Sequence, residues 1–366
     1  MSSERTTIIE ELTKLEPMIT NNSTSKRSTS INTILDPAVA NWEPWENFSF
    51  EVMWDSLKDI LDSKWNPPAF AADPEEHEKH TRNEETLEHQ IITPHLIPRV
   101  VAGLRHGVAM GAVKGLDLNS AFGKMVGQQI PDSKPLPLFF MGRGSRTGCR
   151  EMSDRYHCDY GLFCENYPRD PQSTSLKEDR NNLPGETKQS CVWNSKMPQM
   201  GRDQGSEQWK PVRQALRYAD EAYPSPRPFT YIVTDKEFVA MKIIRPETES
   251  GLSRSREPRS TATPKGTYPG FDTDRRKTTD SMASFDGGNI PVTDGYTVKY
   301  KSIKYLTGVG SRQTRSSHRV MTVRLAWWWL SWKAAFGEDG YDDDDDRHDS
   351  PPPQPKKLPI RENPKR

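Results

Sequence analysis

Residues 181–190 read NNLPGETKQS, and these ten positions decide how the rest of the chain is understood. A Leu183-Pro184-Gly185 corner is followed by an acid and an amine on either side of one threonine. In an extended chain the side chains alternate between faces, so Glu186 and Lys188 point the same way, about 7 Å apart, while Thr187 points into the opposite layer. The segment thus predicts a strand with a carboxylate and an ammonium on one surface. On a solvated sheet such a pair is a surface salt bridge worth little. In a site it is half of what metal-assisted hydrolysis requires.

Acid-x-Lys triplets also arise by chance, and the chain holds three. Asp62-Ser63-Lys64 closes an amphipathic helix, where residues two apart lie on different faces. Asp132-Ser133-Lys134 stands between prolines, which argue against a central strand. Only Glu186-Thr187-Lys188 has a strand setting. Hydrolysis of a phosphodiester with a divalent ion needs at least two acidic ligands and a cation near the attacking water or the scissile phosphate. Mg²⁺ takes oxygen ligands and keeps several waters. Glu186 supplies one carboxylate, and the best second is Asp159 in RYHCDYGLF (155–163), on a strand able to pair with the Glu186 strand. The Thr187 carbonyl adds a third oxygen for Mg²⁺ or Mn²⁺, and Lys188 orients the water or neutralises developing charge.

The surrounding chain has 366 residues, 33% of them hydrophobic, with 30 prolines. That is too polar for every residue to belong to a packed domain. Residues 1–40 are expected to be disordered apart from a short helix, 41–336 to form the folded domain, and 337–366, with five consecutive aspartates and a Pro-rich end, to be a disordered tail. A Ser/Thr/Arg-rich stretch at about 246–288 reads as a mobile insertion. Phe50, Met53, Trp54, Leu57, Ile60 and Leu61 recur at helical spacing. Glu84, Leu87, Glu88 and Ile91 share a second helix face, which ends or kinks near Pro94 and Pro98. Residues 210–223 are helical by spacing, 229–244 form a hairpin around TDKE, and VMTVRLAWWWLSWKAAF (320–336) is a buried core helix. It is short for a bilayer span and carries Arg324 and Lys333. The charged N-terminus is neither a secretory signal nor a membrane anchor, so an intracellular protein in nucleus or cytoplasm is expected, without a membrane. Lys plus Arg and Asp plus Glu both number 51, which leaves no net field for a polyanion; nucleic acid would have to meet local basic patches.

Asp159, Glu186-Thr187-Lys188 and Gln214-x-x-x-Tyr218, in that order, resemble the PD-(D/E)XK nuclease superfamily, and more closely the fungal PD-(D/E)XK nuclease-like domain. The closer resemblance rests on CDYGL, LPGETK, VRQALRY followed by FTYIVTDKEFVAMKI, and MTVRLAWWWL, with NEETLEHQIITPHL as the upstream helix. It spans about 45 to 336 without the insertion. It implies an α/β restriction-endonuclease-like core, a central mixed sheet flanked by helices over 83–93, 210–222 and 320–335. It further implies metal-dependent cleavage of DNA or RNA, with Glu84 as the helix acid, Asp159 and Glu186 as metal ligands, Lys188 as the catalytic lysine and Gln214 as an accessory site residue. Cys158 stands where the name motif has proline, Leu87 where a tryptophan is expected, and Glu88 is the substitute for Glu84.

Two readings of other classes stand beside this one. The same fold can serve as a catalytically inactive binding or scaffold module. Alternatively Cys149, His157, Cys158, Cys164 and Cys191 lie within 43 residues of one another and suggest a zinc-stabilised interaction module, although no C-x-x-C pair is present. GRGSRTG (142–148) lacks the Lys-Ser/Thr ending of a phosphate-cradling loop and reads as a surface turn. Arg143, Arg146, Arg150 and Arg155, and the arginines of the insertion, are basic enough to hold backbone phosphates without sequence preference.

Overall fold

The computed structural model describes residues 5–23, 38–127, 129–131, 133–143, 158–165, 181–200, 208–222, 226–245, 295–306 and 320–337. The expected insertion, the acidic tail and most of the GRGSRTG turn lie outside the described residues. The chain begins with β1 (Thr6–Thr7), α1 (Ile8–Leu12), β2 (Thr20–Asn21), β3 (Val39–Pro44), α2 (Phe50–Leu61), β4 (Lys64–Trp65) and β5 (His80–Thr81). Next come α3 (Glu84–Leu87), a π-helical stretch (Glu88–Leu96), α4 (Ile97–Val113), α5 (Leu118–Val126), β6 (Phe139–Arg143), β7 (Tyr160–Cys164) and β8 (Leu183–Thr187). Then follow α6 (Met197–Met200), α7 (Lys210–Glu221), β9 (Phe229–Val233), β10 (Glu237–Ile244), β11 (Tyr296–Lys304) and α8 (Val323–Phe336).

Seven strands form one mixed sheet in the order β3-β11-β10-β9-β8-β7-β6. β8 lies in its interior, antiparallel to β7 and parallel to β9. The period-2 alternation sends neighbouring residues into two different cores. Phe229, Tyr231, Val233, Phe238 and Ala240 enter a large aromatic core shared with α2, α4 and α8. Ile232, Val239, Met241 and Ile243 enter a smaller one under α7, with Trp193, Val212, Leu216 and Ala219. The molecule is therefore a helix, sheet and helix sandwich with β8 between both cores.

Every residue of α8 is buried, including Arg324, Ser331 and Lys333, as its all-round apolar pattern requires. α4 meets it with a ridge of glycines at four-residue spacing. A Cβ on Gly107 would stand 3.1 Å from Trp328 and 3.3 Å from Trp332, so the absent side chain is the space the indoles occupy. Among the described residues no helix is long and apolar enough to cross a membrane.

The structure departs from the sequence reading in several places. The helix beginning at Glu84 does not end at Pro94. A proline there lacks an N–H and crowds the preceding turn, and a widened π-turn absorbs both effects before α4 resumes the regular pitch. Pro98 falls in the first turn of α4, where the missing donor is not needed. The segment before residue 41 is also partly packed. Ile8, Ile9 and Leu12 of α1 are core residues, and β3 closes one edge of the sheet, parallel to β11. A short helix is expected within residues 1–40, but its packing into the core and the edge strand β3 are not, because so few residues show no period.

Glu16 ties this N-terminal segment to α8. Its carboxylate accepts hydrogen bonds from the Arg324 amide at 2.9 Å and the Leu306 amide at 3.0 Å. Burial raises its pKa to about 7, against the opposing pull of Arg324 and those amides. A carboxyl whose folded pKa lies above its unfolded value of 4.5 stabilises the fold fully below pH 4.5, and that contribution is lost as pH rises through 7. Thermal melts at pH 5 and pH 8 should therefore differ less in Glu16→Gln than in the wild type, the removed difference being on the order of 3 kcal/mol. An unchanged pH slope would show that Glu16 is not the titrating group.

Candidate functional site

The site is built at the C-terminal end of β8, where the two-layer alternation continues past the strand. Gly185 is paired with Tyr231, Glu186 with Ile232 and Thr187 with Val233. Residues in register share a face, so Gly185 and Thr187 look into the aromatic core while Glu186 looks toward α7. The sequence expectation for Glu186 and Thr187 is thus met. Gly185 is required because a Cβ there would sit 2.0 Å from the Tyr231 ring. Pro184, an unusual residue for an interior strand, has its carbonyl held by the Thr230 hydroxyl at 2.9 Å.

Asp159 lies one residue before β7. Its amide donates to the Gly185 carbonyl at 3.1 Å, and its Oδ2 accepts the Thr187 amide at 2.7 Å. Two bonds therefore fix Asp159 against the Gly185-Glu186-Thr187 backbone. Lys188 Nζ donates to Glu186 Oε1 at 2.5 Å and to Glu84 Oε2 at 3.4 Å. Glu84 is the first residue of α3, whose N-terminus is capped by Asn83. The chain thus brings Glu84, Asp159, Glu186 and Lys188 to one place from separations of up to 104 residues. Glu84 rather than Glu88 reaches the lysine; Glu88 is buried one turn further along the helix.

Glu186 and Lys188 are each only 2% exposed. The more exposed members of the cluster are Glu84, whose side chain is 27% exposed, and Asp159, which is half-buried. Burial, reinforced by the Asp159 charge, pushes the Glu186 carboxyl up to about 8, although Lys188 and its hydrogen bond oppose the rise. Burial raises Glu84 as well, against Lys188 and with Asp159 adding to the effect. For Lys188 burial acts in the opposite sense, yet the carboxylates of Glu186, Glu84 and Asp159 outweigh it and hold the ammonium in its charged form. Glu186 Oε2 and Thr187 Oγ1 are buried without a hydrogen-bond partner among the described residues. Among the described residues no group of three or more His, Cys, Asp or Glu side chains is arranged to hold a metal ion; Lys188 bonds to both Glu186 and Glu84.

On α7, Gln214 Nε2 donates to the Tyr218 hydroxyl at 2.6 Å. Gln214 Oε1 has no partner among the described residues. Burial, with Glu186 and Asp159 nearby, keeps the Tyr218 phenol protonated. Gln214 makes no direct bond to the acids.

Sequence reasoning missed the residues that fix the chain after Lys188. Asp235 accepts the Ser190 amide at 2.6 Å and its hydroxyl at 2.7 Å. Glu237 accepts the Ser195 amide at 2.7 Å and its hydroxyl at 2.9 Å. Both belong to TDKE, which reads locally as a hairpin turn. The one available signal was a pair of acids at a turn between two strongly apolar strands. Arg227 was likewise unmarked; it is buried and bonds to the Asn181 carbonyl at 2.9 Å, bracing the entry to β8.

The described cysteines do not assemble a zinc site. Cys158 stands two residues before β7 and Cys164 at its end, roughly 20 Å apart at the rise of an extended chain, too far to share one ion. Cys149 and His157 lie outside the described residues, as do Arg146, Arg150 and Arg155. Comparison with protein-family models, curated proteins and solved structures gave no match.

Gly185→Ala should destabilise the protein by about 3 kcal/mol in urea unfolding, the upper range for overpacking, because the methyl group and the Tyr231 ring claim one space. A loss under about 1 kcal/mol would show that the ring moves aside freely.

Proposed function

We propose that this chain is a metal-dependent nuclease that hydrolyses phosphodiester bonds of nucleic acid on a restriction-endonuclease-like version of the mixed α/β fold. The observation that carries the reading is the convergence of Glu84, Asp159, Glu186 and Lys188 at the end of one interior strand. The donor chemistry fits a hard cation such as Mg²⁺ or Mn²⁺: the acids supply oxygen, one buried carboxylate oxygen of Glu186 lacks a partner, and two of the acids have raised pKa values. Asp159, Glu186 and the Thr187 carbonyl would hold the ion. When bound, it supplies a Lewis acid for the phosphate and a more acidic water.

The protein's own groups do the rest. Asp159 accepts the Thr187 amide and so holds the β7 and β8 ends together. Glu84, the more exposed acid, is a second partner of the Lys188 ammonium at 3.4 Å, and that ammonium would orient the attacking water and neutralise charge on the scissile phosphate. Gln214 fixes the Tyr218 hydroxyl, whose protonated phenol is a hydrogen-bond donor and not a base. The buried position of Glu186 and Lys188 strengthens each of these interactions relative to water.

A second reading is a binding or scaffold module that keeps the fold without the chemistry. It is favoured by one observation: Lys188 is bonded to Glu186 at 2.5 Å and already supplies a cation to the cluster.

Purified protein with Mg²⁺ or Mn²⁺ should cut DNA or RNA, and Lys188→Ala and Asp159→Asn should each lower the rate at least 100-fold with an unchanged circular dichroism spectrum. Absence of cleavage across single- and double-stranded DNA and RNA supports the scaffold reading. The acidity of Glu186 adds a pH test. Its carboxyl is protonated below about 8 in the metal-free protein, so binding a cation must release that proton. The half-saturating Mn²⁺ concentration for cleavage should fall about tenfold per pH unit from pH 6 to 8 and level off above. A flat dependence would remove Glu186 from the ligand set.

A further inference from the structure

A cavity of about 630 Å³ opens at the far edge of the sheet. Trp65 and Phe70 form one wall, Val101 and Arg105 of α4 another, and Phe140 and Met141 of β6 the third. Among the described residues β6 is the last strand of the sheet, paired only with β7. Phe140 and Met141 are consecutive, so their side chains leave the strand on opposite faces. Both can line one cavity only if it wraps the strand's open edge, where the main chain itself forms part of the wall.

The hydrogen bonds agree with this placement. The Leu138 carbonyl accepts the Glu165 amide at 2.8 Å and so points toward β7. The Phe139 carbonyl points the other way and accepts Arg105 Nε at 2.6 Å. By the alternation of an antiparallel strand, the amide and carbonyl of Met141 also face the cavity. Leu136 and Leu138, 36% and 38% exposed, extend the apolar surface before β6.

Charge selects the occupant. Arg105 bonds only to the Phe139 carbonyl and has no acidic partner among the described residues. Among the described residues no aspartate or glutamate lines the cavity. A second copy pairing its own β6 edge symmetrically with this one would therefore bring another arginine and no acid from the cavity lining to receive it. A small apolar acid would satisfy Arg105 but leave the Met141 main chain without partners. An extended peptide satisfies all three demands at once: main-chain groups for β6, an apolar side chain for the aromatic walls, and a carboxylate for Arg105.

We propose that the β6 edge and its cavity form a docking site for an extended acidic peptide segment of a partner protein, which adds to the sheet as an eighth strand. The site lies at the opposite end of the strand order from β3 and two strands from β8, and it does not depend on the proposed hydrolytic activity.

The test is selection of eight-residue peptides from a displayed random library on the full chain, followed by titration of the synthetic winners. Winners should carry an aspartate or glutamate two or three residues from a large apolar residue. Arg105→Glu should weaken their binding at least tenfold, and a lysine in place of the peptide's acid should restore it. Ala102→Trp, which fills the cavity, should abolish binding. N-methylation of alternate peptide amides should abolish binding in one register and spare it in the other. Circular dichroism controls for folding of both variants. Recovery of no binding peptide overturns the proposal, as does binding indifferent to Arg105→Glu, or to N-methylation in both registers. Concentration-dependent dimerisation that Ala102→Trp removes would replace the peptide with a second copy and overturn it too.

Discussion

The structure turns on one buried acid–amine contact, Lys188 with Glu186, held at 2.5 Å where both residues are 2% exposed. Burying a charge costs several kcal/mol and is offset only by close geometry and further partners; where the offset falls short, the group neutralises instead. Here the offset is incomplete on the acidic side. Lys188 gains Glu84 as a second partner, while Glu186 keeps one oxygen unbonded and its carboxyl is raised to about 8. Three acids against one amine at the mouth of a strand is an arrangement that stability alone does not favour. The proposed cation is what would complete it.

The scaffold works to hold that arrangement in place. β8 must pass between two cores, and the step at Gly185 lets it approach the Tyr231 ring more closely than any other residue type allows. Tyr231 stacks on Phe238 and meets Trp327 at 5.0 Å between ring centroids, so the position of β8 is tied to the fully buried helix α8. On the other side Asp235 and Glu237 fix the chain beyond Lys188 by accepting serine amides and hydroxyls. The widened turn around Pro94 keeps Glu84 on the same helix as α4 and lets Thr93 meet the Tyr160 hydroxyl at 2.8 Å, beside Asp159.

What could be read from the sequence was what a local pattern encodes. The i, i+3, i+4 spacing marked α2 and α7, the all-apolar run marked α8, and β-branched and aromatic runs marked β9 and β10. The alternation at Glu186 and Lys188 put both on one face, and the ordered acids pointed to the residues that converge. What could not be read depends on contacts distant in the chain. α1 and β3 are too short to show a period, and a π-turn carrying a proline is indistinguishable from a helix end. Nothing local shows that acids in a hairpin turn reach back to Ser190 and Ser195, or that Arg227 braces Asn181 across 46 residues.

Manganese binding followed by electron paramagnetic resonance tests the central claim most directly, since it reads the cation site without any substrate. At pH 8 the wild-type chain should bind one Mn²⁺ with the free-ion signal lost in proportion, and Glu186→Gln and Asp159→Asn should each weaken that binding at least tenfold. Retention of the full free-ion signal by the wild type, or binding that both substitutions leave intact, would contradict the account.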